Sequence, residues 1–488
     1  MEWLIGAIIL LPLITAVVPV VASLRWDNVG WHFATAVLLA TFGLSVWVTR
    51  IIVSSGPITH VLGGVTQPWY GVELYADEFS MFVLLMTLIV CLGVLVYTRV
   101  GGPRGNAFYG GFLLLTGGML GVTLTADLFN LYVFLEIMAI SSYALVSAAK
   151  YRWSTYAAFK YLLVGTAGAG FYLFGVALVL AATGTLNMQD LSVRLAEVGY
   201  TDPTVVAAFA LMAVGLAIKI ALFPVHTWLA DAHASAPDGI SAVISALVPA
   251  VAVYAFARII YTVYTVDFLT TNPDVGTMLL VAGLLSLFMG STFAILQDHI
   301  KLVLAYSTVS QFGLVLIGLS IANETAIFGS VLHMFGHGIV KASLFLLAGM
   351  IALRFGGIRH IQEYGGLAKK APVMAGSFGV LGIAMIGLPP TVGFVGKWYI
   401  ALGAFEEGMW LVSALVLGST LLSAAYILPF VNRIYFYPFR GTDADPASIT
   451  RGMLASIVIG AALAIVLGFA SAEIHTYLES AVRTLLEP

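Results

Sequence analysis

Charge is what this sequence has least of. Only 9% of its 488 residues are Asp, Glu, Lys or Arg, and 60% are apolar; an ordinary soluble domain carries about 25% charge. A chain this poor in charge cannot cover itself with polar surface, so soluble readings are set aside and it reads as a multi-pass membrane protein. Thiols are almost absent too. With Cys91 alone no internal disulfide can form, and no Cys/His spacing suits zinc or an iron–sulfur cluster. There is no Gly-rich phosphate loop and no polar stretch long enough for a soluble domain, hence no visible site for ATP or a dinucleotide. A net charge of −3 gives no basic surface for nucleic acid. The opening MEWLIGAIILLPLITAVVPVVASLRW lacks the basic n-region and cleavage site of a signal peptide, so it reads as a retained first span.

What the chain has instead is apolar runs. Fourteen approach the length of about 20 residues that a spanning helix needs. They lie near 3–24, 30–53, 79–99, 108–126, 128–149, 156–183, 203–226, 239–262, 275–297, 301–320, 325–353, 372–402, 409–432 and 451–471. The fold class expected is therefore all-α and polytopic. With the N-terminus outside, thirteen loop cations face the cytoplasm. Three (Arg50, Arg194 and Arg483) face out, and five lie inside spans. That asymmetry favours fourteen spans with both termini outside.

Four units follow: 1–107 (spans one to three with an outward loop), 108–262 (spans four to eight), 275–432 (spans nine to thirteen) and 433–488 (span fourteen and an amphipathic tail). The middle two are sets of five. An odd offset inverts the topology of matched spans, and spans seven and twelve each pair a proline break with a lysine. This is the layout of inverted-repeat transporters. Outside the spans, 54–78 is expected to form an outward hairpin and 355–371 a short surface helix on the cytoplasmic side. The tail SAEIHTYLESAVRTLLEP is expected to lie along the membrane surface.

The informative residues are the charges inside the spans: Glu136, Lys160, Lys219, Arg258, Lys341 and Lys397. A cation at mid-bilayer costs roughly 2.5–3.5 kcal/mol on insertion scales, so such groups usually mark ion or proton routes. Glu136 and Lys219, placed together, keep each other charged, and a change at one is felt at the other. The competing reading is a fixed ion pair that ties two helices. Pro224 breaks span seven just after Lys219, and Pro389 and Pro390 break span twelve just before Lys397. Breaks of this kind are tolerated where backbone is buried in protein or lines a wet cavity. Past Pro224 come His226, Asp231, His233 and Asp238, a density of titratable groups that suits a proton entrance from the cytoplasm. Polar capping of a broken helix is the alternative. His333, His337 and Lys341 recur at i, i+4 and i+8 and share one helical face. Imidazole titrates near neutral pH and suits proton hand-over. Zinc is the rival use of His-x3-His, but no carboxylate or thiol accompanies the pair. Arg258, near the outward end of span eight, is expected to snorkel to the surface. Lys160 is either relay or helix-end anchor.

The segments KYLLVGTAGAGFYLFGVALVLAATGTLN, IKIALFPVHTWLADAHASAPDGISA, DHIKLVLAYSTVSQFG, HMFGHGIVKASLFLLAGM and GLPPTVGFVGK resemble the proton-conducting antiporter family. That family contains the large subunits of Mrp sodium/proton antiporters and the antiporter-like subunits of respiratory complex I and membrane-bound hydrogenases. The match runs from about 75 to 435, and the span count is most similar to the D-type Mrp subunit. The resemblance implies that Glu136 and Lys219 act as a coupled pair, with a further lysine at Lys397. It also implies a central polar axis holding His333, His337 and Lys341. One departure stands out. Relatives usually carry a span-eight lysine, where this chain has Pro249 and Ala250. The link from Lys219 to span eleven then falls to water, Ser245 or Tyr254.

The function expected is a proton-translocating subunit of a multi-subunit sodium or potassium/proton antiporter, needing no cofactor or metal. Its partners are other hydrophobic subunits and the lipid bilayer. A proton-pumping subunit of a redox complex is the second expectation, and a scaffold subunit with an inactive channel the third.

Overall fold

The computed structural model describes residues 2–27, 29–62, 71–149, 151–439 and 449–486. Lys150 and Arg440 from the loop-charge partition, and 63–70 of the expected hairpin, lie outside these residues. Among the described residues, thirteen helices are long and apolar enough to cross a membrane, from Trp3–Ala22 to Arg451–Phe469. The fourteenth expected crossing, span twelve, is two short helices, Pro372–Ile386 and Val392–Glu406. The reason is local. Pro389 and Pro390 supply no N–H, and Gly387 closes the first half with φ 85°, a left-handed conformation that glycine takes without a Cβ penalty. Span seven breaks the same way. Pro203–Ile220 stops at Ala221, φ 64°, and the chain resumes as the seven-residue helix Leu229–Ser235. The tight junction between spans four and five is a true break, because the Asp127 carboxylate caps the next helix by accepting from Asn130 N at 2.7 Å.

Neighbouring spans approach closely through small residues, as helices in lipid do. Spans nine and ten meet at Gly283 and Gly313, where a Cβ on Gly313 would sit 2.6 Å from the Leu287 nitrogen. In each set of five, the first span packs on the second, the third on the fourth and the fourth on the fifth. Span eight is wholly buried within the protein, and spans ten and eleven nearly so. These three form the centre, while spans two, thirteen and fourteen keep most of their surface outward.

Strands Ile58–Leu62 and Val72–Ala76 pair antiparallel, with Ile58 opposite Ala76, and mark one end of the molecule. At the far end, 355–371 holds a 3-10 turn, Ile361–Tyr364, and a helical turn, Leu367–Lys370. Ser471–Leu486 is an amphipathic helix, but its apolar face, Leu478, Ala481, Val482 and Leu485, is buried against the protein. His475 stacks edge-on to Phe328 at 4.6 Å, Tyr477 lies near Phe82, and Arg483 pairs with Glu324 at 3.4 Å. The helix straps the hairpin-end starts of spans three and eleven.

Candidate ion pathway

Span seven ends at Ile220, and its last turn points Lys219 inward. The side chain is buried, and Nζ donates to Glu136 Oε1 of span five at 2.8 Å. Two other ties hold the broken backbone below it. Trp228 Nε1 donates to the Ile218 carbonyl at 2.9 Å, and Phe223 N donates to Ser286 Oγ at 3.0 Å. These two bonds tie the break to the end of span seven and to span nine.

Span twelve uses its lysine differently. The proline pair leaves the Ile386 carbonyl without a helical donor, and Lys397 Nζ donates to it at 3.0 Å. Lys397 also reaches Ser423 Oγ at 3.4 Å. Gly396 brings this half-helix against span eleven, since a Cβ there would lie 2.6 Å from the His333 Cβ. His333 Nε2 lies 2.8 Å from Gln311 Oε1, and Gln311 Nε2 reaches the Tyr426 hydroxyl at 3.3 Å and Ser423 at 3.4 Å. His333, Gln311, Tyr426, Ser423 and Lys397 thus form one connected network.

Along the span-eleven stripe, Lys341 Nζ donates to the Leu304 carbonyl and to Ser307 Oγ. Ser307 Oγ in turn donates to the Leu304 carbonyl at 3.0 Å. His337 packs edge-on to Phe312 at 4.9 Å, beside the Ser245 backbone, and its Nε2 has no protein partner. Ser245 Oγ and Thr308 Oγ1 are 2.7 Å apart.

Two expectations are corrected. Tyr254 does not bridge Lys219 to span eleven. Its hydroxyl donates to the Thr123 carbonyl at 2.9 Å and accepts from Arg258 Nε at 3.0 Å, near the hairpin end. Arg258 does not snorkel. It is buried, pairs with Asp77, and sits among the rings of Tyr75, Phe79 and Tyr254. Burial pushes the Asp77 carboxyl up, but Arg258 and the Ser80 hydrogen bonds outweigh it and hold the group below the usual carboxylate range. His226, Asp231 and His233 each make their own contacts. Asp231 is engaged by Lys160 at 2.6 Å, His226 stacks between Phe293 and Tyr306, and His233 stacks on Phe345.

A second charged cluster draws on residues that the sequence divides between loops and a helix end. Asp238 accepts from Arg359 Nη2 at 2.8 Å and lies 3.3 Å from Lys301 Nζ. Lys301 and Arg359 read as ordinary loop cations, and only the fold turns them toward one carboxylate. Gln311, Ser307, Ser423 and Tyr426 also escape sequence reasoning. The available signal is a polar side chain inside an apolar run, which for Ser and Thr more often means a bond to the helix's own carbonyl. Among the described residues, no three His, Cys, Asp or Glu side chains converge as a metal site.

The sequence itself places the chain in a known family. The NADH:quinone oxidoreductase/Mrp antiporter transmembrane family matches residues 125–423. The chain belongs to it. It is 38% identical over 414 residues to NADH-quinone oxidoreductase subunit N of Desulforudis audaxviator, covering 83% of this chain and 81% of that one. It is 32% identical over 444 residues to the D-type subunit of the Na(+)/H(+) antiporter of Bacillus subtilis, covering 90% and 87%. A chain of the membrane-bound sulfane sulfur reductase, an archaeal respiratory membrane complex, superposes with a TM-score of 0.91 at 30% identity, over 99% of this chain and 97% of that one. The protein is thus a multi-pass, antiporter-like membrane subunit of a family shared by antiporters and respiratory complexes.

Proposed function

We propose that the chain is the proton-translocating subunit of a multi-subunit monovalent cation/proton antiporter in a prokaryotic cytoplasmic membrane, with both termini outside. Proton influx through it drives sodium or potassium efflux. The observation that carries this reading is the Glu136–Lys219 ion pair, 2.8 Å long, with Lys219 buried and Glu136 half-buried beside a helix break. A buried pair adds little net stability over an apolar pair of the same shape. Its use is in coupling: a proton reaching Glu136 releases Lys219, and neutral Lys219 no longer holds Glu136 charged. The route continues through the column of His337, Lys341 and His333 to Lys397, with the helix breaks at Pro224, Pro389 and Pro390 opening the backbone beside it. His226, Asp231 and His233 stand at the cytoplasmic approach. The units 108–262 and 275–432 act as two inverted halves.

The test is cation/proton exchange by the whole complex in everted vesicles carrying Glu136→Ala, Lys219→Ala or Lys397→Ala. Exchange is expected to fall by about 100-fold or more, in the range seen when a positioned proton-transfer group is removed. Full exchange in Lys219→Ala would sink the relay.

A second reading has its own support. The 38% identity to a quinone oxidoreductase subunit favours the same proton path driven by electron transfer in partner subunits.

A further inference from the structure

We propose that the cleft between spans seven and nine binds one phospholipid, whose acyl chain fills the cleft and whose headgroup carries an ammonium. The inference goes beyond the transport reading and does not rest on it.

The cleft begins in the sequence. Ala210, Ala213 and Ala217 recur at three- and four-residue spacing, so one face of span seven carries methyl groups where longer side chains would reach a neighbour. Span six packs along span seven and span nine along span ten, but seven and nine do not pack on each other lengthwise. The space left between them holds about 640 Å³, within the range of about 300–1,000 Å³ typical of sites that bury a small molecule. Its floor is Phe256 of span eight and Leu316 of span ten, both buried. Its rims are Val214 and Met278, which are 44% and 70% exposed. Unfilled, such walls lose dispersion contacts along their length, and water finds no hydrogen-bond partners on them.

What fills the cleft follows from its length. On span seven the lining runs from Val206 to Ala217, about 16 Å at about 1.5 Å per residue. That is about half of a hydrocarbon core about 30 Å thick. The cleft opens at the hairpin end and closes at Leu222, where the Phe223 N–Ser286 Oγ bond of 3.0 Å ties its two walls together. A transmembrane helix of a partner would need a groove across the whole core. An acyl chain from one leaflet needs only half.

The mouth selects the headgroup. Asp274, in the first turn of span nine, is exposed and makes no ion pair among the described residues. Asn272 Nδ2 donates to the Tyr200 and Phe268 carbonyls at 3.0 and 3.1 Å, so its amide presents an oxygen to a ligand. The helix Thr265–Thr271 ends here, and its last carbonyls have no helical donors. Asp202 at the start of span seven and Asp267 add negative charge at the same end. None of the described residues lining the cleft is cationic. Apart from the Thr271 hydroxyl, the side chains at the mouth offer acceptors only, which suit the ammonium of phosphatidylethanolamine and repel a headgroup of net negative charge.

The test uses the whole complex, delipidated in detergent and incubated with phosphatidylethanolamine or phosphatidylglycerol, with bound lipids counted by native mass spectrometry. Wild type is expected to retain at least one phosphatidylethanolamine more than Ala213→Trp, whose indole occupies the cleft. Asp274→Lys should lower retention of phosphatidylethanolamine relative to phosphatidylglycerol by about threefold or more, the scale of a lost exposed ion pair. Equal retention by wild type and Ala213→Trp overturns the site. So does a wild-type preference for phosphatidylglycerol. A cross-link from Met278→Cys to a partner subunit also overturns it, because the cleft then holds protein. If Ala213→Trp does not assemble, Asp274→Lys decides alone, since that side chain is exposed and unpaired; an unchanged lipid ratio overturns the proposal. None of these readouts is transport, so a failed relay leaves the lipid site standing and a failed lipid site leaves the relay standing.

Discussion

At the scale of single residues, the intramembrane cations divide into two kinds. Arg258 is fixed by Asp77, Tyr254 and three aromatic rings, an arrangement that leaves it nowhere to move. Lys219, Lys341 and Lys397 each hold one or two neutral or acidic oxygens in networks that continue to other titratable groups. Arg258→Leu strands a buried carboxylate and is expected to destabilise the protein by about 3–5 kcal/mol. The Arg258→Leu/Asp77→Asn pair should recover much of that, and thermal unfolding followed by tryptophan fluorescence measures both. Outside the spans, His299 gives a pH signature. Burial, then Arg359 and His360, push its imidazole down to about 4, against about 6.5 when unfolded. The unfolded chain takes up that proton first as pH falls, so stability declines from about pH 6.5 toward pH 4. The His299→Asn variant should show a shallower fall in unfolding temperature across that window; an identical slope would contradict the assignment. None of this was legible in the sequence, because a charge in a loop and a charge in a pocket look alike until the chain folds.

At the scale of elements, the helix breaks were readable and the docking was not. Proline removes an N–H wherever it sits, so Pro224, Pro389 and Pro390 announced the breaks in spans seven and twelve. The tail was equally plain as an amphipathic helix. Amphipathic spacing says that one face is apolar but not what covers it, and here that face is buried against the protein, where the helix packs on spans three and eleven. Deleting Ser471–Leu486 should therefore expose the surface it covers, lower the unfolding temperature by several degrees and reduce the yield of assembled complex. A helix that merely rested on the membrane would be lost without change in the unfolding temperature. The pairing of Glu136 with Lys219 falls between these cases. The residues, 83 apart in the chain, have no spacing that joins them; the charge argument says what they do once placed together, and family resemblance implied that they are.

At the scale of the whole molecule, the two driving forces predict different companions. An antiporter complex purified in mild detergent should bring down small hydrophobic subunits and show sodium- or potassium-dependent proton movement. A redox-driven one should bring down iron–sulfur or flavin subunits, visible by their absorption. The sequence by itself determined the membrane, the helical class, the breaks and the inventory of buried charges. Those follow from composition and from proline, which act at each residue whatever its neighbours do. Only the tertiary structure decided which charges are locked and which are linked. It turned Lys301 and Arg359 onto Asp238 and threaded a polar column between spans ten and eleven. The physical reason is that a charge in low dielectric is defined by what lies within a few ångströms of it, and those neighbours come from distant parts of the chain.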